Sequence, residues 1–153
     1  MKLLIIRHGA PDYEHDSLTE NGWNEALINR PDVTERRMIS WDWLPQDWTQ
    51  EPRFYDAEHW MDVDVFKESS VPEVFHKVTS NLDDFLLNHG YRHDGNVFRV
   101  EHGSSDTIAL FCHFGVECVL LSHLLHISPM QLWHGFCAAP SSVTTIYTEE
   151  MRK

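Results

Sequence analysis

The sequence predicts an α/β fold, a mostly parallel central sheet flanked by helices. Three observations carry this reading. Lys2 to Ile6 and Thr107 to Cys112 are short, nearly unbroken apolar runs of the kind that form buried strands. Each run ends at a histidine followed by a glycine-containing turn, "RHG" and "CHFG", and then by a loop or helix. No internal repeat or low-complexity linker interrupts the alternation, so 1–153 reads as a single domain.

Taken in order, Lys2 to Ile6 is the first strand. "SLTENGWNEALINRP" then predicts a helix, with Thr19 as N-cap, Glu20 and Glu25 as helix formers and Pro31 as the stop. From about 31 to 66 helical periodicity is poor, but Trp41, Trp43, Trp48, Phe54, Tyr55 and Trp60 give the segment bulk. It reads as an ordered Trp-rich lid or insertion with short helical turns, its aromatics favouring packing over lining a pocket above His8.

Val74, Val78, Leu82, Phe85 and Leu86 recur at helical spacing, with Ser70 and Pro72 at the entry and Gly90 at the exit. Val97 to Val100, a Gly-Ser turn and Thr107 to Cys112 predict a hairpin. Val116 to Leu125 predicts an apolar helix, and the β-branched "SSVTTIYTEE" a last strand.

The charge balance narrows the partners. Acidic residues number 24 against 12 basic, a net charge of -12, and no Lys or Arg stripe is present. Nucleic acid and anionic membranes are therefore excluded as expected partners. The apolar start ends at Arg7, too early for an export signal, and no stretch is long enough to span a bilayer. The three cysteines Cys112, Cys118 and Cys137 have neither CxxC nor staple-like spacing, which predicts a reducing, cytoplasmic setting.

Two strand-end histidines are the chemical signal. In an open α/β sheet, ligands bind outside the carboxyl ends of the strands, so His8 and His113 can share one crevice. A neutral imidazole can attack phosphorus and carry the phosphoryl group covalently. Arg7 and a proton-donating His113 can hold the phosphoryl oxygens, and the backbone N–H groups of Gly9 and Phe114 can add donors. This arrangement calls for no metal or other cofactor. The remaining histidines are scattered. His123 and His126 share a helix face, but no carboxylate or cysteine accompanies them at ligand spacing, so no metal site is expected. Cys112 points away from His113 along the strand and reads as core.

"LLIIRHGAPD", "SLTENGWNEA" and "TIALFCHFGVECVLLSHLL" together resemble the histidine phosphatase superfamily, the phosphoglycerate mutase-like proteins. The resemblance covers 1 to 27 and about 105 to 147. It implies a reduced phosphoglycerate mutase-like fold and a metal-independent phosphomonoester hydrolase, with His8 as phosphorylated nucleophile, Arg7 as phosphate ligand and His113 as the second pocket histidine. The implied partner is a small phosphorylated molecule or inorganic phosphate. A mutase-type phosphotransferase and a catalytically impaired phosphate-binding domain are the alternatives.

The chain departs from that pattern after the first helix. The family's second strand, its Ser-Pro-Leu-x-Arg-Ala arginine and its proton-donating glutamate have no counterpart. Arg30, Arg36 or Arg37 can supply a second guanidinium, and Glu35, Asp42 or Glu68 an acid, but none sits in a family motif. The missing strand also predicts a narrower sheet whose apolar edge needs cover from the Trp-rich segment or a second copy, a homodimer.

Overall fold

The computed structural model describes residues 1–8, 27–28 and 38–151. In chain order the elements are β1 (Lys2–Arg7), β2 (Leu27–Ile28), β3 (Met38–Ile39), α1 (Pro45–Trp48), α2 (Asp64–Lys67), α3 (Val71–Asn88), β4 (Tyr91–Asp94), β5 (Val97–Val100), β6 (Thr107–Cys112), α4 (Phe114–Leu125), α5 (Pro129–Gly135) and β7 (Val143–Tyr147). Single 3₁₀ turns occupy Pro52–Tyr55 and Glu149–Met151.

The architecture is α/β, but the main sheet is mixed rather than mostly parallel. β1 lies between β6, which runs parallel to it, and β7, which runs antiparallel. The reason lies in the last connection. After α5 the chain turns beside the carboxyl end of β1, where Ser141 N–H donates to Arg7 O at 3.0 Å and Arg7 N–H to Ser142 O at 3.1 Å. A strand that starts there can only run back against β1.

The sheet buries one face. Leu3 and Ile5 pack with Leu82 and Leu86 of α3, Tyr91, and Leu120 and Leu121 of α4. Each such aliphatic side chain contributes on the order of 1.5–3 kcal/mol by leaving water. Leu4 and Ile6 alternate to the other side and are only half-buried, and Phe111, Val143 and Tyr147 are 72%, 54% and 52% exposed. The unbroken aliphatic run predicts cover on both faces. Among the described residues only one face is fully packed.

A second apolar cluster fills the space under α4 and α5. Its buried members include Phe54, Trp60, Phe66, Val71, Cys118, Met130 and Trp133, with Trp41, Trp43 and Trp48 packed against them. The aromatic-rich segment is thus built into the core. Trp60 is fully buried and meets Phe66, Phe75 and Trp133 edge-on at 5.2, 5.1 and 5.6 Å.

The long helix forms where the periodicity predicts, over Val71–Asn88, with Pro72 in its first turn and Gly90 just past its end. Two local expectations fail. Leu27 and Ile28, read as helix, form an antiparallel pair with Met38 and Ile39, while Thr19, Glu20 and Glu25 lie outside the described residues. β5 pairs with β4, not with β6. The overlooked signal is "DGN": Gly95 has φ +63 in a two-residue loop, the conformation a tight hairpin needs and other residues resist. β6 is then free to join β1. Finally, α5 was not foreseen, although Ser128 caps it by accepting from Met130 N–H at 3.3 Å and Pro129 opens it.

Candidate active site

The strand register places the two histidines. Arg7 pairs with Cys112, so β1 and β6 end level and His8 and His113 leave the sheet side by side. His8 N–H donates to Cys112 O at 3.3 Å, which holds the first residue beyond β1 against the neighbouring strand. His113 is the N-cap of α4, with extended backbone at φ -82 and ψ 159, so its ring turns out of the helix toward β1.

The imidazoles touch. His8 Nε2 and His113 Nδ1 form a hydrogen bond, and the rings lie edge to face at 4.2 Å and 86°. One of these two nitrogens carries the proton and the other accepts it. His113 is exposed and His8 half-buried, so the pair is open to a solute.

Arg7 ends β1, one residue before His8. Its Nη1 donates to Ala138 O, and its guanidinium sits 5.5 Å from the centroid of the Phe114 ring, which itself stacks with Phe136 at 6.5 Å. The backbone carbonyl and aromatic face fix the direction of a side chain that keeps further N–H donors. Phe114 opens α4, so its N–H is one of the first-turn donors without an intrahelical acceptor.

The start of α4 also carries a buried carboxylate that the sequence did not single out. Glu117, one turn into α4, is fully buried and accepts from Thr144 Oγ1 at 2.5 Å, while its Oε2 has no partner among the described residues. Its helical neighbours are apolar, and only its spacing of four from His113 marked it. Burial and the Glu117 charge push the Cys112 thiol up to about 11 and the Cys118 thiol to about 12, as expected of core sulfurs.

The "AAPSS" turn meets the end of β1. Ser142 N–H donates to Ala139 O at 2.9 Å with Pro140 and Ser141 between, and Ser141 has φ +64, a left-handed conformation costly for serine. The turn is held by Arg7 O, so it is part of the same unit.

The structure therefore brings together Arg7, His8, His113 and Phe114. Gly9 lies outside the described residues, as do Arg30, Glu35, Arg36 and Arg37. Asp42 is close enough to raise the proton affinity of His134, and Glu68 is exposed at the end of α2. Elsewhere, His123 parts from His126 and joins Asp83 and His93. Sequence spacing could not show this, because the three residues belong to three separate elements.

The fold and the paired imidazoles define an α/β protein with a histidine site at the carboxyl ends of two parallel strands. The chain matches no protein-family model, no curated protein and no solved structure.

Proposed function

We propose that the protein is a phosphomonoester hydrolase of the histidine phosphatase type, acting through a phosphohistidine at His8 on a small phosphorylated substrate. The observation that carries this reading is the contact of His8 Nε2 with His113 Nδ1 at two level strand ends. The "RHG" and "CHFG" motifs support it by their resemblance to the phosphoglycerate mutase-like proteins.

In this reading a phosphoryl group enters between the rings and replaces their mutual hydrogen bond. The His8 Nε2 lone pair forms the N–P bond as the ester P–O bond breaks, and the leaving oxygen takes a proton from solvent water. His113 N–H, Arg7 and the Phe114 backbone N–H donate to the phosphoryl oxygens. Water then attacks phosphorus, the N–P bond breaks, and inorganic phosphate leaves with His8 restored. Arg7 is partly spent on Ala138 O, which supports a second reading in which the site binds phosphate without turnover.

Phosphate release from an activated phosphomonoester, without added metal, distinguishes the two. Turnover that disappears in His8→Ala, together with acid-labile phosphate retained on the wild-type chain, supports the hydrolase. Equal release by both proteins removes it. Phosphate binding without release selects the second reading.

A further inference from the structure

We propose that Asp83, His93 and His123 form a binding site for a divalent transition-metal ion of the zinc class, separate from the paired histidines. The residues come from α3, β4 and α4, and one donor atom of each lies within 4.8 Å of the other two. His93 Nδ1 is 3.1 Å from Asp83 Oδ2, and His123 Nε2 is 2.7 Å from Asp83 Oδ1. The two oxygens of one carboxylate thus face two ring nitrogens across a shared space.

The donor chemistry selects the ion. Two imidazoles and one carboxylate suit zinc, cobalt, nickel or iron(II), whereas calcium and magnesium prefer all-oxygen shells. Ligands from a tetrahedral zinc ion at about 2.0–2.1 Å lie roughly 3.3 Å apart, so the two approaches to Asp83, at 3.1 and 2.7 Å, need to open by only a few tenths of an ångström. On binding, the nitrogens now facing Asp83 present their lone pairs to the ion, and each neutral imidazole keeps its one proton on the other ring nitrogen, reached by exchange with water.

The site is also held in place and reachable. Phe98 stacks on His93 at 4.7 Å and 21° and meets His123 edge-on at 5.8 Å. This limits the ring rotations that a loose surface pair would lose on binding. Asp83 and His93 keep 29% and 30% side-chain exposure and His123 14%, so an ion can enter and keep water in its remaining positions. A bound ion would staple the β4–β5 hairpin to α3 and α4.

The test is calorimetric titration of the intact protein with Zn²⁺, paired with Co²⁺ absorption spectra. The comparison set is His93→Gln, Asp83→Asn and His8→Asn, each confirmed folded by circular dichroism. One ion per chain is expected, with affinity reduced at least about tenfold in His93→Gln and Asp83→Asn, since even outer-shell changes weaken metal sites on that scale. His8→Asn should bind as the wild type does. Absence of saturable binding overturns the proposal, as does a loss confined to His8→Asn or affinity unchanged in both cluster variants.

Discussion

Gly115→Ala tests how the aromatic core and the histidine pair are joined. A Cβ built on Gly115 would lie 2.8, 3.0 and 3.2 Å from Cη2, Cζ3 and Cζ2 of Trp41, against about 3.5–4.0 Å for carbons in favourable contact. The Trp41 ring cannot simply swing clear, since it is packed against the core cluster and tilted on Trp133 at 5.7 Å. Either the ring or the first turn of α4 must move by several tenths of an ångström. Overpacking of this kind costs about 1–3 kcal/mol. The opposing gain from alanine's helix propensity is at most about 1 kcal/mol in a helix interior and smaller in a first turn.

The expected net loss is about 1–2 kcal/mol, or a fall in Tm of roughly 2–8 °C for a chain of this size. Urea denaturation of Gly115→Ala, Trp41→Leu and the double variant measures it. Trp41→Leu alone should destabilise by leaving a cavity, but the added methyl group has room beside leucine, so the two losses should fall short of additive by about 0.5 kcal/mol or more. A Gly115→Ala protein as stable as the wild type, or strict additivity, would refute the close approach. Because His113 caps the same turn, phosphate release should fall in Gly115→Ala and recover in part in the double variant.

Two further outcomes follow from burial. Burial first, and then the Glu117 charge, hold the Cys112 and Cys118 thiols up at about 11 and about 12, whereas Cys137 is exposed. A thiol reagent at pH 8 should therefore modify Cys137 alone in the folded chain and all three cysteines in denaturant, as read by mass spectrometry; rapid labelling of Cys112 would contradict this. Burial lowers the pKa of His134 from its ordinary 6.5, outweighing the bond to Met130 O and the charge of Asp42. The unfolded chain then takes the proton first, so His134 costs stability as pH falls through about 6.5 toward its lowered folded value, and His134→Phe should flatten that part of the profile in urea titrations.

The legible parts of the fold were those governed by local pattern. The α3 helix followed from its spacing, Pro72 and Gly90, and both strand-end histidines followed from where the aliphatic runs stop. What the sequence concealed was pairing. Nothing in "VTTIY" tells whether it runs with or against β1; the Ser141 and Ser142 bonds to Arg7 decide that. Leu27 and Ile28 suit helix or strand equally, and their partners Met38 and Ile39 settle the choice. At the site, Glu117 was hidden because a carboxylate inside an apolar helix looks like surface until the fold closes over it. Asp83, His93 and His123 were hidden by their separation along the chain.

The α4 helix connects these observations. His113 caps its start, Gly115 receives Trp41, Glu117 is buried and accepts from Thr144, and His123 faces Asp83 near its end. His113 and His123 are about 15 Å apart along a helix rising 1.5 Å per residue. That distance is too great for one ion or one phosphoryl group to engage both ends. A metal at His123 can act on the histidine pair only by fixing the helix that carries His113, which makes its effect one of positioning. Zn²⁺ should then raise the thermal stability of the His8→Ala protein as much as that of the wild type, while leaving His8→Ala without turnover. If added metal restored phosphate release to His8→Ala, the phosphohistidine route and the independence of the two sites would fall together.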